Sequence, residues 1–416
     1  MENRPTLVFI VVLALIAILL GINFFTTPFL KYFENFNQAK TPVGNQGADE
    51  ESSAESIDGV VGEALLVRLS SEQKVAQLIA YPVNSEVLME VETDNLATAA
   101  AQLAVQKRTE TLENLKEFQP GLITIFGQKI SADEAQGLIE AIDSTFSQAE
   151  LPPLYAVDHE GGAVQRLSGD GFTRLDSWQQ LCGADEAKRQ QQLNQSAQEL
   201  QALGINIVYA PVLDINGSAL GSRSCNNYED LKTAAQNFIE AFGSHQIMSV
   251  VKHFPGIGST TSDLHHQNQA IQLSAEDTQI FSDILDLYPN IGVMTAHIKL
   301  TNLLDDWPCS LSGQCLAAFP DHYPNVLIFT DALDMGALDE LFSGETADPT
   351  PSKLAQISIK AIEAGNNILV FGKDVQATEL EQVKLALIAK YQTDELFQRQ
   401  VDQSLTKLLT IKKFNL

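Results

Sequence analysis

From residue 76 onward the chain carries eight short runs rich in β-branched and aromatic residues: AQLIAYP, GLITIF, PLYAVD, INIVYAPVLD, IMSVVKHF, IGVMTAH, NVLIFTD and NNILVFG. Runs of this length and composition read as strands. The segments between them have helical periodicity, and SADE at Ser131 and SAED at Ser274 read as capping boxes that open two of the helices. Strands alternating with helices predict a parallel sheet, and a count of eight fits a closed (β/α)8 TIM-type barrel better than an open sheet. The stretch from Asn84 to Gln119 is expected to be a longer, acidic, helical connection between the first two strands.

The pattern differs at the N-terminus. After Arg4, sixteen residues from Leu7 to Ile22 carry no polar side chain. Extended to Phe25, a helix here would be about 28 Å long, enough to span a bilayer. The apolar run is longer than that of a cleaved signal peptide and no small-x-small cleavage site is evident. An uncleaved transmembrane anchor over residues 1–26 is therefore expected, with Arg4 held inside and the remainder on the periplasmic or extracellular side. Residues 27–59, rich in Gly, Ser, Asn and acid, read as a flexible stalk, and residues 60–416 as one catalytic domain.

Charge narrows the partners. Acidic residues outnumber basic ones 53 to 26 among 416 residues, a formal charge of −27, so a phosphate backbone is repelled and nucleic acid is not an expected partner. The four cysteines allow two bridges in three connectivities, and Cys309 with Cys315 and Cys182 with Cys225 is the pairing expected, with buried unpaired thiols the alternative.

Several strand runs end in ionisable residues: Asp158, Asp214, Lys252 with His253, His297 and Asp331. In a barrel these converge on the carboxyl-end face, where active sites of this architecture lie. Asp331 follows an apolar strand almost directly, a rigid mounting suited to a nucleophile. Asp334 is expected to face solvent or cap a helix. Asp263 and His265, spaced i and i+2 in the turn-rich segment KHFPGIGSTTSDLHH, can act as a carboxylate-oriented imidazole that gives and takes a proton. His266 reads as a loop or packing residue. Lys252, His253, Arg166, Arg223 and Asp158 offer donors and acceptors for a polyhydroxylated ligand, salt bridges within the barrel mouth being the alternative for the two arginines. A metal site at Asp263, His265, His266 and His297 lacks any specific ligand spacing.

From SSEQKVAQLIA at Ser70 to AIEAGNNILVFG at Gly372, the chain resembles glycoside hydrolase family 3, and within it the single-domain bacterial β-N-acetylhexosaminidases of the NagZ type. The resemblance runs in order through VDHEGGAVQRL, GFTRL, VYAPVLDIN, GSRS, VKHFPGIG, MTAHI, LSGQ and IFTDALDMGAL. It implies a retaining hydrolase that releases terminal β-linked N-acetylglucosamine from peptidoglycan- or chitin-derived fragments, with no metal or organic cofactor and as a monomer. Asp331 would be the nucleophile, His265 the general acid/base and Asp263 its partner, with Asp158, Arg166, Arg223, Lys252 and His253 around the sugar. A β-N-acetylglucosaminide phosphorylase or β-glucosidase on the same scaffold, or a sugar-binding protein without turnover, are the alternatives. The Asp-x-His pair resembles the hexosaminidase branch, and the 85 residues after Asp331 leave no room for the later domain from which the β-glucosidase branch generally takes its acid. Three positions depart from the family pattern: Ala163 and Ile257 stand where arginine and histidine are usual, and Leu264 replaces a serine between the dyad members.

Overall fold

The computed structural model describes residues 66–88, 99–217, 219–260, 269–317, 319–342 and 351–415. Eight parallel strands form its centre: β1 (Ile79–Asn84), β2 (Leu122–Phe126), β3 (Leu154–Val157), β4 (Ile207–Val208), β5 (Met248–Phe254), β6 (Gly292–Thr295), β7 (Leu327–Thr330) and β8 (Leu369–Val370). Each pairs with the next in sequence order, as in Ile123↔Tyr155 between β2 and β3 and Val251↔Val293 between β5 and β6. β7 meets β8 through a bridge at Phe329↔Ile368, and β8 returns to β1 at Leu369↔Ile79, which closes the ring.

The eight predicted runs supply these eight strands. Their residues are buried almost throughout because helices cover the outer face while side chains fill the interior. Inside, Tyr209 meets the Phe329 ring edge-on at 5.9 Å and its hydroxyl lies 2.9 Å from Thr124 Oγ1, so the one polar group of a fully enclosed ring is satisfied.

The expected capping boxes form at both Ser131 and Ser274. In the helix Ala132–Phe146 the buried residues are Ala135, Leu138, Ile139, Ile142 and Phe146, one face at helical spacing turned to the barrel. The connection after β1 holds helices at Ser85–Leu88 and Ala99–Phe118. At the amino end of the barrel the last helix, Glu395–Asn415, donates from Lys412 Nζ to Gln77 Oε1 (2.7 Å) and Pro152 O (2.6 Å), and from Lys407 Nζ to Val326 O (3.1 Å). These lysines hold the segments entering β1, β3 and β7, opposite the face where the ionisable residues gather.

Cysteines pair as Cys182–Cys225 and Cys309–Cys315, with Cα atoms 6.2 and 5.3 Å apart.

The expectation of an N-terminal transmembrane helix is corrected: among the described residues no helix is long and apolar enough to cross a membrane. The two longest helices, Ala99–Phe118 and Glu395–Asn415, have charged residues scattered along them, whereas a span needs about 20 predominantly apolar residues. The run Leu7–Ile22 and the stalk lie outside the described residues. Among the described residues the fold class is accordingly the (β/α)8 barrel, and they support neither the anchor nor the membrane localisation drawn from it.

Candidate active site

The carboxyl ends of the strands surround a cavity of about 520 Å³. Asp158, Arg166, Arg223, Lys252, His253 and Asp331 all line it, drawn together from positions up to 173 residues apart in the chain. Asp158 leaves β3, Lys252 and His253 close β5, and Asp331 leaves β7. Rigid parallel strands therefore deliver four of the six, while Arg166 and Arg223 come from the segments after β3 and β4.

Asp331 is half-buried and held by its own backbone. Its N–H donates to Thr295 O (3.0 Å) on neighbouring β6, and its Oδ1 accepts from Ala332 N–H (2.8 Å). Burial pushes its carboxyl up, but the positive potential of His253, His297 and Lys252 together with the Ala332 N–H outweighs this and holds it below its ordinary value. Asp331 is thus an anion facing the cavity.

Across from it lies a network of three cations and two carboxylates. Lys252 Nζ reaches Asp158 Oδ1 at 3.0 Å and Glu160 Oε1 at 2.6 Å. Arg166 meets Asp158 Oδ2 at 3.2 Å, and Arg223 pairs with Glu160 at 2.7 and 2.9 Å. Arg166 Nε is buried with no partner among the described residues. Burial raises the carboxyls of Asp158 and Glu160, but Lys252 and the arginines more than reverse it, taking Glu160 to about 2 and Asp158 well below the usual carboxylate range. Burial depresses the Lys252 ammonium, yet Glu160 and Asp158 bring it above its ordinary value. Every member of the network is charged at neutral pH. Salt bridges and ligand contacts, posed as alternatives for the arginines, coexist here: both are paired and both border the cavity.

The other strand-end residues act from behind. Asp214 is fully buried and accepts from His253 Nδ1 (2.7 Å) and Ile257 N–H (2.7 Å). His297 Nε2 lies 2.9 Å from Ala332 O, so that nitrogen carries the proton, and its Nδ1 is 2.7 Å from Ser310 Oγ. His297 therefore supports the residue after Asp331 and does not line the cavity. Asp334 is exposed at the rim, where it accepts from Gly372 N–H (2.6 Å) in the turn after β8.

Asp263, Leu264, His265 and His266 fall in residues 261–268, outside the described residues, so the proposed proton-transfer dyad has no geometry here. The same segment holds three of the four ligands of the metal alternative, and among the described residues no group of three or more potential ligands gathers. Of the departures from the family pattern, Ala163 is exposed, while Ile257 is buried and borders the cavity.

Of the five charged residues in this network, Glu160 is the one the sequence reading does not single out. Glu160 follows Asp158 by two positions, a spacing that puts both side chains on one side of an extended segment, and that spacing was the available signal.

The profile of the "Glycosyl hydrolase family 3 N terminal domain" matches residues 70–411, the whole barrel and most of its last helix. The chain belongs to glycoside hydrolase family 3. Among family 3 relatives, the β-hexosaminidase of Shewanella frigidimarina is 33% identical over 254 residues, covering 57% of this chain and 72% of that protein. β-Hexosaminidase A of Pseudoalteromonas piscicida is 25% identical over 341 residues, 73% of this chain, which spans only 55% of that longer relative. In three dimensions the family 3 barrel superposes on the β-N-acetylhexosaminidase of Beutenbergia cavernae with a TM-score of 0.69 at 23% identity, over 83% of this chain and 99% of that one, a likeness of fold.

Proposed function

We propose that this family 3 glycosidase is a retaining β-N-acetylhexosaminidase that removes non-reducing terminal N-acetylglucosamine from peptidoglycan- or chitin-derived fragments. The observation that carries this reading is an ionised Asp331 at the end of β7, facing a cavity whose opposite wall is lined by Asp158, Arg166, Arg223 and Lys252. A carboxylate there can attack the anomeric carbon of a sugar whose hydroxyls those charged groups hold. The β-hexosaminidase identity of the relatives supports N-acetylhexosamine as the sugar.

In the proposed sequence His265, oriented by Asp263, protonates the leaving oxygen as Asp331 forms a glycosyl ester. Water then attacks the same carbon, His265 takes its proton, and the sugar leaves with its configuration retained. An imidazole opposite an anionic nucleophile avoids the repulsion two carboxylates would feel, and its ordinary pKa lies nearer neutrality.

The test is turnover of a chromogenic β-N-acetylglucosaminide, compared with the β-glucoside and run with and without inorganic phosphate. The N-acetylated substrate should be preferred and free sugar should be the product in both buffers. Asp331→Asn and His265→Ala should each lose at least about 100-fold in kcat. Full activity in Asp331→Asn removes the mechanism, and sugar 1-phosphate as the main product replaces hydrolysis with phosphorolysis.

A further inference from the structure

Two carboxylates serve the cations of the cavity wall, and they serve them differently. Glu160 Oε2 accepts from Arg223 Nε at 2.7 Å while Oε1 accepts from Nη2 at 2.9 Å, a fork that fixes the plane of the guanidinium. Oε1 also meets Lys252 Nζ at 2.6 Å. With its side chain 1% exposed, both oxygens face cations and neither is left open to a ligand. Asp158 makes one contact per oxygen, at 3.0 Å to Lys252 and 3.2 Å to Arg166, and its side chain is 17% exposed. Its carboxylate keeps an open side.

The backbone explains how Glu160 comes to lie beneath the cations. It sits in the short strand His159–Gly161, which turns back through Gly162 to pair with Val164–Gln165. Gly161 and Gly162 have φ of +93° and +58°, and a Cβ on Gly161 would stand 2.3 Å from Asp176 O, so only glycine allows the reversal directly after Glu160. Arg223 ends a three-residue turn, Gly221–Arg223, and among the described residues Glu160 is the hydrogen-bond acceptor of its guanidinium.

We propose that Glu160 is a positioning residue of the sugar subsite, holding Arg223 and Lys252 in place for the ligand while Asp158 is the carboxylate the ligand meets. This rests on the glycosidase reading above. Without Glu160 the Arg223 guanidinium loses its fork and Lys252 keeps a single partner, so ligand binding weakens while the carboxylate at Asp331 is untouched.

The experiment measures kcat and KM on a chromogenic β-N-acetylglucosaminide for wild type, Glu160→Gln, Arg223→Ala and the double variant, with thermal melting to check folding. Glu160→Gln should raise KM about tenfold or more and change kcat by less than about threefold. The double variant should be weaker than Arg223→Ala by clearly less than the factor Glu160→Gln produces alone, because part of the effect of Glu160 passes through Arg223. Arg223→Lys keeps the charge but cannot make the fork, and it should raise KM similarly; it carries the test if Glu160→Gln fails to fold. Unchanged KM in Glu160→Gln or in Arg223→Lys, fully multiplicative single effects, or a collapse of kcat at unchanged KM overturns the proposal. Failure of the functional reading shows separately, in a wild-type protein that turns over no β-glycoside, and takes this proposal with it.

Discussion

The Asp214 carboxylate holds the His253 ring by Nδ1 at 2.7 Å and, through its other oxygen, the Ile257 N–H at 2.7 Å. A carboxylate can only accept, so Nδ1 carries the proton and the ring is fixed in one orientation beside the cavity. One fully buried side chain thus sets a cavity-lining imidazole and the first turn of the segment that leads to Asp263 and His265.

Removing Asp214 should therefore damage stability and activity together. Asp214→Ala leaves three buried donors without their acceptor, His253 Nδ1, the His253 N–H (3.3 Å) and the Ile257 N–H, at about 1–3 kcal/mol each, so urea denaturation should show a loss of at least about 3 kcal/mol. Asp214→Asn retains one acceptor oxygen and should lose less, with kcat/KM falling in the same order. An alanine variant as stable as wild type would refute this account of the pairing.

Acid stability follows from the cavity wall. The Glu160 carboxyl lies near 2 in the folded protein against an ordinary 4.5, because Lys252 and Arg223 favour its anion more than burial disfavours it. A carboxyl depressed by folding contributes stability that is complete above its unfolded pKa and is lost as pH falls through the folded one. The window is therefore from about pH 5 down to about pH 2, and Glu160 contributes on the order of 3 kcal/mol there. Denaturant midpoints measured across this window should fall more steeply for wild type than for Glu160→Gln. Parallel slopes would show that the carboxyl is not held low.

Much of this barrel was legible because each strand is a local run whose burial on both faces needs apolar residues throughout, and because ionisable residues directly after such runs can only lie at one end of it. Asp158, Lys252, His253 and Asp331 were found on that logic. Glu160 was not: its spacing from Asp158 puts it on the same side of the segment, but its importance lies in pairing with Arg223, 63 residues away, and that partner is marked by no local pattern. Asp214 was seen as a strand-end residue, but its double role depends on how the chain turns after His253. Lys412 looks like its neighbour Lys413 in the sequence, and only the docking of the last helix buries it.

The Cys182–Cys225 bridge ties the helix Trp178–Gly183 to the segment two residues beyond Arg223. Closing a separation of 43 residues, it restricts the unfolded chain by about 4 kcal/mol on loop-entropy grounds. The Cys182→Ala, Cys225→Ala double variant should lose roughly 2–4 kcal/mol of stability and raise KM with little change in kcat, because the Arg223 turn loses its tether. Equal stability of this variant and the oxidised wild type would deny the bridge a structural role.

Lys412 carries a pH dependence of opposite sense. Its ammonium is fully buried with two neutral acceptors, Gln77 Oε1 and Pro152 O, and burial takes it from 10.5 to about 7. Between pH 7 and 10.5 the unfolded chain therefore binds the proton that the folded protein has released, so stability rises with pH across that interval. The full span corresponds to on the order of 4–5 kcal/mol, present at high pH and lost as pH falls towards 7. Lys412→Met should abolish this rise, although it leaves two acceptors unpaired and lowers the absolute stability at high pH. Denaturant unfolding of both proteins at pH 7, 8.5 and 10 decides it: the expected outcome is a rise in wild type and a shallower curve in the variant, and identical slopes would place the Lys412 proton outside the folding equilibrium.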